Sequence, residues 1–199
     1  METFRHEGFY YQPLEDSYLM LECAKEALIG ILKKKGSKIK ILDMGTGSGV
    51  IANDLAEFCA KNRIKADIFG IDLNRHGIRH ALAERKGEFY VLSDLFGGLK
   101  GIFDIIVFNP PYLPEGYEDF EEEYKKTVIG GRKGNELACE FVRQASKHMD
   151  HETVCLLLAS SLSGKNEIEK ICRNCRLKMK AFREKSLFFE KLAVYEIRK

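Results

Sequence analysis

The stretch from residue 39 to 50 constrains the fold most. Ile39-Lys40-Ile41-Leu42-Asp43 is a short apolar run ending in an acid, Gly45, Gly47 and Gly49 follow at alternate positions, and a helical pattern opens at Val50. Alternate glycines let a ligand approach the backbone closely where a helix begins. A strand feeding a helix through such a turn is the opening unit of an α/β sheet that binds its ligand at the carboxyl edge. The dinucleotide fingerprint asks for a small residue where this chain has Val50, which disfavours nicotinamide and flavin cofactors.

The rest of the chain continues the alternation. Strands are expected near 39–43, 67–71, 88–92, 103–108 and 153–159, and helices near 48–61, 75–85, 135–148 and 165–175. An amphipathic helix over 15–35 should precede them, with Glu15 and Asp16 in its first turn, Lys33 to Lys35 in its last, and Gly36 as its stop. Ser163 to Asn166 could cap the final helix. Val154-Cys155-Leu156-Leu157-Leu158-Ala159 is continuously apolar, as a strand covered on both faces requires. Two alternating segments between Leu177 and Ile197, split by Arg183-Glu184-Lys185-Ser186, read as a terminal hairpin. The pattern implies a parallel sheet with an antiparallel final strand, in one domain over residues 1–199.

Three strand-terminal aspartates line up with the glycine turn. Asp72 ends the run Ile68-Phe69-Gly70-Ile71, 23 positions after Gly49, where a carboxylate can accept both hydroxyls of a ribose. Asp94 follows Phe89-Tyr90-Val91-Leu92 and precedes Leu95, a place to hold an adenine amino group beside an apolar wall. With Asp43 they outline a nucleoside site. The buried-looking run Ile105-Ile106-Val107-Phe108 then ends in Asn109-Pro110-Pro111-Tyr112. Proline lacks an N–H, so the loop is stiff and the Pro110 carbonyl has no competing donor beside it. An NH₂ held by the Asn109 side-chain oxygen and the Pro110 carbonyl could pyramidalise toward an electrophile while Tyr112 stacks on its planar group. No strong base is needed.

The set Asp43-x-Gly45-x-Gly47-x-Gly49, Asp72, Asp94 and Asn109-Pro110-Pro111-Tyr112 resembles the amino-methylating class I S-adenosylmethionine-dependent methyltransferases. Tyr11-Gln12-Pro13-Leu14-Glu15-Asp16-Ser17 and Gly130-Gly131-Arg132-Lys133-Gly134 resemble segments of the HemK-like protein glutamine methyltransferases in their short archaeal and eukaryotic form. The resemblance spans about Tyr11 to Tyr195. It implies a Rossmann-like fold, a mostly parallel seven-stranded sheet with an antiparallel last strand, and helices on both faces. It also implies S-adenosyl-L-methionine as cofactor and methylation of the glutamine side-chain amide in the Gly-Gly-Gln motif of a peptide-chain release factor. Asp43, Gly45 and Gly47 would form the floor under the methionine part, and Ser17, from an amino-terminal helical segment over 1–36, would reach its amino-acid end. Asp72 would take the ribose, Asp94 and Leu95 the adenine, and Asn109 would border the cofactor as well as the acceptor. Asn109, Pro110 and Tyr112 would be catalytic, and with Pro111 would bind the substrate. The short members work with a small zinc-binding activator protein, so a heterodimer is implied, with the strand Glu88 to Leu92 as the exposed edge that docks it. The additional amino-terminal helical domain of the bacterial-type members is not expected in this chain.

Other readings weigh less. Cys23, Cys59, Cys139, Cys155, Cys172 and Cys175 fall at irregular spacings within apolar patterns, as buried thiols in a reducing compartment do. The pair Cys172-x-x-Cys175 shares a helix face with Ile168 and Ile171, which favours core packing over redox or zinc. His76 and His80 lack a third ligand nearby, so no metal is expected. No run of about 18 apolar residues exists, and Met1 to Glu7 is unlike a signal peptide, so a cytoplasmic protein with no membrane contact is expected.

The net charge of +2 leaves no global basic footprint for nucleic acid, which is expected to be neither partner nor direct substrate. Glu115, Glu118, Asp119, Glu121, Glu122 and Glu123 follow the Asn109 loop, either as an acidic rim suited to a basic protein or as a solvated loop. Residues 165–199 carry 11 Lys or Arg against 5 Asp or Glu, a basic tail that could contact RNA. Three alternatives therefore stand beside glutamine methylation. Adenine presents a similar NH₂ to the same loop, which allows a DNA or RNA amino-methyltransferase. A non-catalytic cofactor-binding subunit would not need the intact loop. Lysine methylation would need a base to deprotonate the ammonium, and the sequence shows none.

Overall fold

The computed structural model describes residues 11–199 except 34, 37, 87 and 117–120. Met1 to Glu7, Lys34, Glu118 and Asp119, and the first ten residues of the 1–36 segment, lie outside the described residues.

Thirteen elements follow in the order α1 (Glu15–Leu32), β1 (Ile39–Met44), α2 (Val50–Lys61), β2 (Ala66–Asp72), α3 (Arg75–Glu84), β3 (Phe89–Leu92), β4 (Ile105–Phe108), α4 (Glu122–Val128), α5 (Glu136–Ala145), β5 (Val154–Ser160), α6 (Lys165–Asn174), β6 (Lys178–Ser186) and β7 (Lys191–Arg198). The strands form a mixed sheet in the order β3-β2-β1-β4-β5-β7-β6. Pairing is parallel from β3 to β5, and β7 runs antiparallel to both neighbours. This is the mostly parallel seven-stranded sheet with an antiparallel last strand that the resemblance implies.

The central strands are buried on both faces because they carry almost nothing but branched apolar side chains. Every residue of β4 and β5 is buried. Ile41, Ile105, Val107, Leu156 and Leu158 pack with α1 and α2 on one face, and Leu42, Ile106, Phe108, Cys155 and Leu157 with α5 and α6 on the other. The thiols behave as small apolar groups, and burial pushes Cys172 up to about 12. Cys172 is buried in the core with Ile168 and Ile171, as the helical spacing implies, whereas Cys175 caps α6 and is only half-buried.

Four expectations are corrected. Helix α1 stops at Leu32 rather than Lys35, and Lys35 leaves the helix to pair with Asp104 just before β4. The hairpin turn falls at 187–190, not at 183–186, because β6 is an edge strand that tolerates charge on its exposed side. Arg183 reaches Glu22 and Glu26 of α1, and Lys185 reaches Glu15. The acidic segment is not all loop, since α4 begins at Glu122, which pairs with Lys125. No Ser163–Asn166 side chain caps α6; instead Asn135 Nδ2 donates to the Ser163 and Gly164 carbonyls at its start.

Much of the basic tail is neutralised within the chain. Lys165 pairs with Glu169, Lys180 and Arg198 with Glu196, and Lys191 with Glu184, besides the pairs to α1. Among the described residues no helix is long and apolar enough to cross a membrane.

Candidate active site

A cavity of about 590 Å³ opens over the carboxyl ends of β1, β2 and β4, where an open α/β sheet binds its ligands. Helix α1 brings Asp16 and Ser17 to one side, and α4 brings Tyr124, Lys126 and Thr127 to the other.

The glycine turn is built for close backbone approach. Gly45, Gly47 and Gly49 all have positive φ, at 62°, 54° and 83°. The Gly47 amide donates to Asp72 Oδ2 (2.8 Å) while Asp72 Oδ1 accepts from the Asn74 amide (2.7 Å). Asp72 therefore pins the turn to the end of β2 and retains lone pairs toward the cavity. Burial pushes its pKa up, opposed by the amides of Asn74 and Gly47. Asn74 caps α3 by accepting from the His76 amide (2.9 Å). Asp94 is exposed at the rim, and the following Leu95 is buried with φ of 44°, an uncommon conformation for a branched side chain. Both face the cavity beside Ser93.

Asp43 stands apart from the other site residues. It lies beneath the turn, 1% exposed, and does not line the cavity. Its Oδ2 accepts from Thr46 Oγ1 (2.6 Å), its Oδ1 is buried without a partner, and burial raises its pKa to about 7.

The opposite end of the cavity converges on Asp16. This carboxylate, 3% exposed, accepts from the Tyr11 hydroxyl (2.8 Å), the Ser17 amide (2.7 Å) and Asn109 Nδ2 (3.1 Å), with the Tyr112 hydroxyl at 3.5 Å. A carboxylate can only accept, so it must face the Asn109 nitrogen rather than the oxygen. Asn109 Oδ1 is thereby left buried without a partner in a residue that lines the cavity. Burial first, then the Asp16 charge, raises the Tyr11 and Tyr112 pKa values, so both remain neutral phenols able to donate.

Close packing supports the Asn109 loop from behind. A Cβ on Gly130 would stand 2.2 Å from the Pro111 carbonyl oxygen, and one on Gly134 2.4 Å from that of Tyr112. The Leu113 amide donates to the Val128 carbonyl (2.9 Å) and the Gly130 amide to the Leu113 carbonyl (2.9 Å). The Gly130-Gly131-x-x-Gly134 segment is thus a backbone seat for Pro111 and Tyr112.

Ser17, Gly45, Gly47, Asp72, Asp94, Leu95, Asn109, Pro110, Pro111 and Tyr112 all line this one cavity. Tyr11, Asp16, Tyr124 and Glu190 line it as well and were not singled out from sequence. Asp16 had a signal, since it sits in the segment resembling the HemK-like enzymes. An acid in a first helical turn has, however, an ordinary explanation in the helix dipole.

The profile of the methyltransferase small-domain family matches residues 17–183. A protein of Methanocaldococcus jannaschii named for N5-glutamine methylation is 31% identical over 189 residues, 92% of this chain and 89% of its own length. The release factor glutamine methyltransferase of Haemophilus influenzae is 29% identical over 73% of this chain, which spans 54% of that protein. In structure, the Encephalitozoon cuniculi Mtq2 subunit of the Mtq2–Trm112 complex superimposes with a TM-score of 0.68 at 24% identity, covering 96% of this chain and 98% of its own. The chain belongs to the methyltransferase small-domain family, within its S-adenosylmethionine-dependent, HemK-like protein glutamine methyltransferases.

Proposed function

We propose that this chain transfers a methyl group to the side-chain amide nitrogen of the glutamine in a Gly-Gly-Gln motif of a peptide-chain release factor. The observation that carries the proposal is the Asn109 carboxamide, which lines the cavity with Pro110 and Tyr112 and is oriented by its Nδ2 bond to Asp16, leaving Oδ1 without a partner of its own.

The cavity fits the cofactor. Three positive-φ glycines and the pinned Asp72 suit a ribose and its linked methionine, and Leu95 offers an apolar wall for adenine. Ser17, Gly45, Gly47, Asp72, Asp94 and Leu95 would hold it, with Asp43 bracing the turn from beneath. When bound, S-adenosylmethionine supplies an electrophilic methyl group on a sulfonium. The chain's own residues act on the acceptor. Asn109 Oδ1 and the Pro110 carbonyl each accept one N–H of the amide, bending the nitrogen lone pair out of conjugation, and Tyr112 stacks on the amide plane. Placement in the right geometry contributes the rest. The amide nitrogen forms the new N–C bond as the methyl–sulfonium bond breaks with its electron pair staying on sulfur; the methylated amide nitrogen is then strongly acidic and gives its proton to water, so no dedicated base is required.

The relatives' names support a protein substrate, and the internally paired basic tail offers little to a polyanion. A small zinc-binding activator would add to the open edge of β3. That strand terminates the sheet and exposes Phe89, Val91 and Leu92 at 51%, 39% and 48%.

The test is transfer from labelled S-adenosylmethionine, with and without the activator, to a recombinant release factor, its Gly-Gly-Gln→Gly-Gly-Asn variant, total RNA and DNA. Label on the unmodified factor alone is expected. Label on nucleic acid alone would transfer the acceptor reading to adenine.

A further inference from the structure

The turn joining β6 to β7 carries two aromatic rings in water. Phe188 is 92% and Phe189 87% exposed, and they hold each other edge to face with centroids 4.6 Å apart. Their flanks are anchored. The Leu187 amide donates to the Glu190 carbonyl (2.8 Å), and Leu187 packs against the core cluster beneath α1. Glu190 accepts from Ser160 Oγ (2.5 Å) and itself lines the cavity near Tyr112. With consecutive Cα atoms about 3.8 Å apart, the rings spring from backbone within about 8 Å of a residue in the cavity wall.

We propose that Phe188 and Phe189 dock an apolar side chain in the polypeptide segment flanking the acceptor glutamine, a reading that rests on the function proposed above. Three observations select this occupant. The rings adjoin the acceptor end of the cavity, which the substrate must approach in every turnover. A partner adding to the β3 edge sits on the far side of the sheet from them, because four strands lie between β3 and β7, which are about 24 Å apart at the usual strand spacing. The lysines flanking the turn are engaged within the chain, Lys185 by Glu15 and Lys191 by Glu184, while Glu190 adds negative charge, so the patch is apolar with acidic surroundings and disfavours a nucleic-acid backbone.

The test compares the wild-type chain with the double variant Phe188→Ser, Phe189→Ser, together with its activator if that is required. Both rings are exposed, so the thermal midpoint should not move. Steady-state transfer to the intact release factor should show KM at least tenfold higher with kcat within twofold, and cofactor affinity should be unchanged. Transfer to a minimal Gly-Gly-Gln peptide, which lacks the flanks, should be the same for both proteins, and Phe188→Leu, Phe189→Leu should restore most of the lost affinity. An unchanged KM for the intact factor overturns the proposal. So does a concentration-dependent dimer that the double variant abolishes, which would assign the rings to a second copy. If the wild-type chain labels only nucleic acid, the proposed function itself fails, and this docking role fails with it.

Discussion

Asn109 Nδ2 donates to the buried carboxylate of Asp16 across 3.1 Å, joining the carboxyl end of β4 to the first turn of α1. The bond decides which way the carboxamide faces, and so which atom meets the substrate. Asp16→Asn removes that instruction, because an amide can donate or accept. The charge-assisted bond is worth about 1.5–3 kcal/mol, so kcat should fall roughly ten- to a hundredfold, with cofactor affinity changed little. Steady-state kinetics beside calorimetric titration of the cofactor separates the two effects. A variant with normal kcat would remove Asp16 from the positioning role.

Gly130→Ala tests the seat beneath the loop. Its Cβ would meet the Pro111 carbonyl oxygen at 2.2 Å, so the Pro111–Tyr112 backbone must shift. Overpacking of this kind costs about 1–3 kcal/mol, and a displaced loop should lower transfer more than tenfold. Far-ultraviolet dichroism should show the fold retained while the thermal midpoint drops by several degrees.

Asp43 gives a pH signature. Its native carboxyl titrates near 7 and its ordinary value is 3.8, so between these the folded chain binds a proton that the unfolded chain has released. Stability of the chain without ligand should therefore decline as pH rises from about 4 to about 7 and level off above. Asp43→Asn should remove this part of the decline. Thermal unfolding of both proteins at pH 5 and pH 7.5 checks it; parallel shifts would show that Asp43 does not carry the dependence.

Val91→Lys tests the sheet edge. A lysine on an edge strand opposes further pairing without disturbing the interior. Co-purification of the activator should be lost while the isolated variant unfolds within a few tenths of a kcal/mol of the wild type. Retained co-purification would move the partner away from β3.

The strand ends were legible because Leu42, Val107 and Leu157 lie in apolar runs that only a doubly covered parallel strand explains. Such runs also brought Asp72 and Asn109 to one edge. Helix α4 was not legible, since seven residues beginning with two acids show too little periodicity to separate from a loop. The hairpin turn was misplaced because an edge strand carries charge where a central strand cannot, so Arg183 to Ser186 resembled a break. Asp16 was read as a first-turn acid in a family segment and not as a site residue for a different reason: its partner Asn109 is 93 residues away, and no local pattern reports that contact.

The central claim is that Asn109 presents its oxygen to the acceptor amide, and Asn109→Ala tests it most directly. Single-turnover transfer to the release factor should fall by at least a hundredfold while the cofactor dissociation constant changes less than about fivefold, since one well-placed acceptor is worth about 2.7–4 kcal/mol in a transition state. Near-normal transfer by this variant would contradict the account.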